Sequence, residues 1–125
     1  MIREINYNEA VDLASTYKDR DKITVILFKD EHCPYCAEFI PNVVEKISDK
    51  YHSDVDFYLV PDKKGQHFPM QITPIAYVFV PGQCPNEMPL VRPGAAEYAA
   101  VDADIKRSIE SMKTGLDLNS DTPRF

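Results

Sequence analysis

The run Ile23-Thr24-Val25-Ile26-Leu27-Phe28 restricts the fold of this chain more than any other stretch. Thr24 is its only polar side chain, and the rest are β-branched, aliphatic or aromatic. A segment with no solvent-facing side predicts a central strand buried on both faces. The pattern then changes period: Cys36, Phe39, Ile40, Val43, Val44, Ile47 and Tyr51 recur at helical spacing. Val55 to Val60 reads as a second strand. Strand, amphipathic helix and strand make a βαβ unit, for which parallel pairing and a right-handed crossover are expected.

The remaining elements arrange themselves around that unit. Asn6 is placed to cap a first helix, with Glu9 three residues on to complete a capping box. Ala10, Val11, Leu13, Ala14 and Tyr17 then share one face, and Asp19-Arg20-Asp21 ends the helix. Ile75 to Val80 is a third strand entered through Thr73-Pro74. Pro81-Gly82 and Pro85-Asn86 form a turn into a short final strand at Met88-Pro89-Leu90-Val91, whose prolines suit an edge position. Gly94 leads into a last helix with Tyr98, Val101, Ile105, Ile109 and Met112 on one face, ended by Gly115. The order (β)αβαβββα is that of an α/β protein. Its expected core is a central mixed β-sheet of four to five strands, flanked by helices on both faces.

At 125 residues the chain is long enough for one ordinary domain and too short for two. We expect that domain over 1–115, with 116–125 as a C-terminal tail in which Leu116, Leu118 and Phe125 could dock on the body. A net charge of −6 opposes binding to nucleic acid or to an anionic membrane through bulk electrostatics. The start, MIREINYNEA, has no continuous apolar core of a signal peptide, and the apolar run Ile75 to Val80 is too short to span a bilayer. A cytoplasmic location is therefore expected. Three cysteines are too few for a disulfide framework, so in a reducing compartment a Cys-x-x-Cys points to chemistry or a metal.

That pair is Cys33-Pro34-Tyr35-Cys36, directly after the buried strand. The helix should begin at or near Cys33, with Pro34 in its first turn, where a missing N–H does no harm. Pro41 falls inside the helix and should kink it. Free N–H groups and the helix dipole would stabilise a thiolate at Cys33, while Cys36, one turn on, would point to the core. Cys33 would then attack a disulfide and Cys36 would resolve the mixed disulfide. Asp30 and Glu31 oppose the thiolate, whereas Lys29 and a protonated His32 favour it. A closed zinc site needs four ligands, and Cys84, His32, His52 and His67 supply no second pair at ligand spacing. Two ordinary thiols on a structural turn are the remaining alternative.

The Cys33-Pro34-Tyr35-Cys36 motif, Pro41 in the helix and Thr73-Pro74 before the next strand resemble the thioredoxin-like superfamily. The resemblance runs over about residues 1 to 113 by element order. It implies a thioredoxin-like fold with a cis Thr73-Pro74 bond, Pro74 facing the cysteines and the Thr73 backbone docking an extended substrate. The Pro-Tyr dipeptide is that of typical glutaredoxins. His32 stands where thioredoxins have tryptophan, and Leu27 falls near their buried aspartate. Arg92-Pro93-Gly94-Ala95 does not reproduce the glutathione element of glutaredoxins, and Asp62 to Ile72 is short where thioredoxins have a helix.

The function implied is dithiol–disulfide exchange on protein disulfides or glutathione mixed disulfides. Cys33 and Cys36 are the catalytic residues, Tyr35, Thr73 and Pro74 bind substrate, and Pro34, His32 and Pro41 support them. No metal and no bound cofactor are expected, only an external electron donor, either thioredoxin reductase or glutathione. The chain is expected to act as a monomer. The alternative is a thioredoxin-fold binding module or adaptor in which the pair is not catalytic. Bland readings stand beside several of these roles. Tyr35 and His32 could be plain surface residues, Lys29 a solvated charge, Cys84 an inert thiol, and His67 and Phe68 ordinary loop residues.

Overall fold

The computed structural model describes residues 2–29, 35–61, 74–81, 90–94 and 97–114. The first strand, β1 (Ile2–Glu4), leads to Asn6, which caps α1 (Tyr7–Thr16) as its sequence predicts. The Asn6 Oδ1 accepts from the Glu9 N–H at 2.8 Å, and the Glu9 carboxylate accepts from the Asn6 N–H at 3.1 Å. Two otherwise unpaired donors are satisfied in this reciprocal way. A 3₁₀ turn at Tyr17–Asp19 follows, and then β2 (Ile23–Phe28), all six residues of which are buried.

Helical structure resumes with α2 (Cys36–Phe39), and Tyr35 just before it already has right-handed helical backbone angles. A π-helical turn at Ile40–Val44 separates α2 from α3 (Glu45–Lys50). Pro41 explains the interruption. It has no N–H to donate, and its ring crowds the carbonyl four residues earlier. The ladder therefore takes in one extra residue, and the Glu45 N–H reaches the Ile40 carbonyl. The kink expected at Pro41 is thus met by a widened, π-helical turn at that place.

The other elements are β3 (Val55–Val60), β4 (Ile75–Phe79), β5 (Leu90–Pro93) and α4 (Tyr98–Thr114). The sheet order is β1-β3-β2-β4-β5, with β2 at its centre. β3 runs parallel to both β1 and β2, with Val25 opposite Phe57. β4 is antiparallel to β2 and to β5. The parallel βαβ unit, the antiparallel final pair and the edge position of β5 all match the sequence reading.

Alternation along the strands divides the core. Val25 and Leu27 of β2, Phe57 of β3 and Val78 of β4 face one side, under Phe39, Val44, Ile47, Ile105 and Ile109. Ile26 and Phe28, Tyr58 and Val60, and Tyr77 and Phe79 face the other, under Ala10 and Tyr17. Edge-to-face packing of Phe28 on Tyr77, with centroids 5.7 Å apart, fills that second layer. Helices thus cover both faces.

Three details differ from the sequence reading. The last strand runs through Arg92 and Pro93, past its expected end at Val91, because Ile75 pairs with Pro93 and Ala76 with Arg92; Met88 and Pro89 lie outside the described residues. A proline is tolerated there since β5 is an edge strand and needs donors on one side only. The third strand stops at Phe79, although Val80 stays buried. Tyr98, expected on the buried stripe of α4, is 38% exposed, while Ser108 and Ser111 are buried in its place. Ser108 can be buried because its hydroxyl donates to the Asp104 carbonyl at 3.0 Å. Gly115 and the 116–125 tail lie outside the described residues.

Candidate functional site

The strand pairings bring several chain segments to one end of the sheet. Phe28, the last residue of β2, lies opposite Ile75, the first of β4, and Ile75 lies opposite Pro93, the last of β5. The Lys29 N–H, one residue beyond β2, donates to the Val60 carbonyl at 3.1 Å, so β3 ends here too. Sites in α/β sheets commonly form at such carboxyl ends, where loops diverge.

Tyr35 and Cys36 begin α2. The Phe39 N–H donates to the Tyr35 carbonyl at 3.0 Å, which makes Tyr35 the first acceptor of the helix among the described residues. Their side chains have opposite fates: Tyr35 is 68% exposed and Cys36 is 4% exposed. Cys36 is disulfide-bonded. A buried sulfur one residue from an exposed aromatic ring gives a site with a shielded half and an accessible half.

Pro74 is fully buried just before β4, and its carbonyl accepts the Gly94 N–H at 2.7 Å. Gly94 has φ +83°, a left-handed conformation that costs glycine little and a side-chain-bearing residue more. This glycine turns the chain out of β5 while its N–H holds the backbone next to Pro74. From the sequence alone, Gly94 reads only as the lead into α4. A glycine directly after a proline was the one available signal. Pro41 is exposed on the π-helical turn, away from the core.

His32, Cys33, Pro34 and Thr73 lie outside the described residues, as do Cys84, His67, Phe68 and the Asp62 to Ile72 stretch. Among the described residues no group of three or more His, Cys, Asp or Glu side chains is placed to hold a metal ion.

The core under α2 contains little that can titrate. Leu27 is buried there among apolar side chains. The buried polar side chains among the described residues are Thr24, Ser48, Ser108 and Ser111, none of them a carboxylate. Charge instead gathers on α4, where two aspartates tie the helix to its neighbours. Asp104 takes a bidentate pair from Arg92 of β5, with Nε to Oδ2 and Nη2 to Oδ1 both at 2.7 Å. Asp102 accepts from the Lys50 ammonium at 2.8 Å and from the Tyr51 hydroxyl at 2.6 Å. Those two bonds hold the Asp102 carboxyl well below its ordinary value, at about 2. The same Asp102 bond keeps Lys50 protonated above its usual range. Nothing in the sequence pattern signalled either tether.

The fold itself is held in common with known structures. A chloroplastic thioredoxin z superposes with a TM-score of 0.69 over 88% of this chain and 95% of its own, at 14% identity. This is a thioredoxin-like fold. The thioredoxin of Malassezia sympodialis, Mala s 13, superposes at 0.64 over 86% of this chain and 93% of its own, with 23% identity. Thioredoxin O2 from Arabidopsis thaliana, solved in its oxidised state, also reaches 0.64, covering 85% and 92% of the two chains at 18% identity. No protein-family model matches the chain. No curated protein sequence matches it either. In this thioredoxin-like fold the cysteine-bearing helix start follows the central strand, and Pro74 is brought to the same end of the sheet.

Proposed function

We propose that this protein is a dithiol–disulfide oxidoreductase acting on protein disulfides or glutathione mixed disulfides. The observation that carries the proposal is Cys36: buried, disulfide-bonded, and first in the helix that follows the central strand of a thioredoxin-like fold. Its partner in this reading is Cys33, three residues earlier, a spacing that lets two sulfurs meet across one helical turn.

In the reduced protein the Cys33 thiolate attacks one sulfur of a substrate disulfide. A Cys33–substrate bond forms, the substrate S–S bond breaks, and the other substrate sulfur leaves as a thiolate that takes up a proton. The Cys36 thiolate then attacks the Cys33 sulfur, forming the intramolecular disulfide and releasing the second substrate thiol. Two electrons pass from the protein to the substrate, and an external dithiol or two glutathione molecules restore them. Burial keeps Cys36 away from outside disulfides, so the first attack falls to Cys33. Tyr35, exposed beside the pair, and the backbone at Thr73-Pro74 contact the substrate. His32, Pro34 and Pro41 shape the helix start. We assign no metal or bound cofactor. The donor is thioredoxin reductase or glutathione, and the protein works as a monomer in the cytoplasm. No described helix is long and apolar enough to cross a membrane.

The test is reduction of insulin by dithiothreitol with the protein present. Acceleration is expected, and the C33S/C36S double variant should abolish it; no acceleration by the native chain would overturn the reading. Equilibration of the pair in glutathione buffers, with mass spectrometry for a glutathione adduct, separates a thioredoxin type from a glutaredoxin type.

A second reading, a binding module with an idle cysteine pair, draws support from Leu27 and the absence of a buried carboxylate among the described residues. It requires that the double variant keep the biological role of the protein.

A further inference from the structure

A cavity of about 300 Å³ lies between the sheet and the helices on the α2 and α4 side. Side chains such as Val25, Leu27, Phe39, Val78 and Ile105 make its walls apolar. Among the described residues Cys36 and Pro74 do not line it, although Gly94, bonded to the Pro74 carbonyl, does. Protein interiors are close-packed, with few voids larger than a water molecule. A space of this volume falls at the lower end of the range for small-molecule pockets.

Two small residues, Gly94 and Ala100, line the cavity beside Arg92 and Asp104. A Cβ built at Gly94 would meet no atom within 4 Å, so the turn after β5 leaves open space at the cavity. Ala100, in the first turn of α4, is exposed and also lines it. Arg92 and Asp104 are the only charged residues among the described lining. Their two bonds of 2.7 Å neutralise each other, so the rim presents no net charge to an occupant. Hydrogen-bonding capacity remains, however. Arg92 spends a third nitrogen on the Val91 carbonyl at 3.3 Å, yet its guanidinium has five N–H donors, and the Asp104 carboxylate has unused lone pairs.

We infer that this cavity binds a compact, neutral, mainly apolar molecule carrying one hydroxyl or N–H group. Its apolar body would lie against Leu27, Val78 and Ile105, with the polar group at the Arg92–Asp104 pair. A cavity of about 150 Å³ accommodates benzene, so about ten to twelve non-hydrogen atoms fit here. A carboxylate-headed ligand is disfavoured because its charge would lie against the Asp104 carboxylate, which already neutralises Arg92.

The experiment uses the full chain and 1-naphthol, followed by calorimetry and by methyl NMR. Saturable binding is expected, with shifts confined to cavity residues such as Leu27, Val78 and Ile105. The anionic analogue 1-naphthoate should bind at least tenfold more weakly. Two variants obstruct the site differently: Ala100→Phe at the exposed rim and Ala76→Leu on the floor, each checked for native methyl dispersion. Either should weaken 1-naphthol at least tenfold. The inference is overturned if 1-naphthol does not saturate, if its shifts lie elsewhere, or if both folded variants bind as the native chain does. Equal or tighter binding of 1-naphthoate would overturn the neutral-ligand assignment.

Discussion

Thr24 sits on the central strand with a fully buried side chain, and its hydroxyl has no hydrogen-bond partner among the described residues. A hydroxyl taken from water without compensation destabilises the folded state, and valine has nearly the same shape without that group. Thr24→Val should therefore raise unfolding free energy by about 1–2 kcal/mol. Urea denaturation at constant m-value checks this, and a lower midpoint would refute it. Residue-scale features were unevenly legible from sequence. The burial of Ile26, Leu27 and Phe28 follows from a run with no polar face. The orphaned hydroxyl does not, because whether Thr24 finds a partner depends on what packs against it.

Two elements carry their own predictions. α1 is fixed at its start by the reciprocal Asn6 and Glu9 bonds, so Asn6→Ala should cost about 1 kcal/mol. Thermal unfolding would show it as a lower midpoint, and an unchanged midpoint would mean that packing of Ala10 and Tyr17 alone holds the helix. α4 is pinned to the end of α3 by Asp102, whose carboxyl falls from an ordinary 3.8 to about 2, chiefly through Lys50 and then Tyr51. A depressed folded-state value means the unfolded chain binds the proton first as pH falls. The stabilisation is thus fully present above pH 3.8 and is lost as pH falls toward about 2. Asp102→Asn should be less stable than the native chain at neutral pH, and the gap should close across that window. A gap independent of pH would point to lost shape rather than lost charge.

At the scale of the whole molecule, the two core layers share their strands. β2, β3 and β4 each send alternate side chains into both, so neither layer can come apart while the other stays intact. Unfolding should accordingly be a single cooperative transition. The near-UV signal of tyrosines such as Tyr17 and Tyr77, on the α1 side, should change together with the far-UV backbone signal. Two separated transitions would mean that the layers are independent.

Local patterns in the chain settled which segments become strands and helices. The cap at Asn6 and an irregularity of the helix at Pro41 were likewise readable, since each depends on residues a few positions apart, and the parallel βαβ unit followed from the order of its elements. Tertiary structure decided what depends on distant residues. It placed the end of β5 at Pro93, turned Tyr98 outward, and joined the Gly94 N–H to the Pro74 carbonyl. It also matched Arg92 to Asp104 and left a cavity beneath the sheet. Periodicity along a chain records which side of an element is apolar, and that signal is local. The partner on the other side, and how well the two surfaces fill the space between them, exist only once the chain has folded.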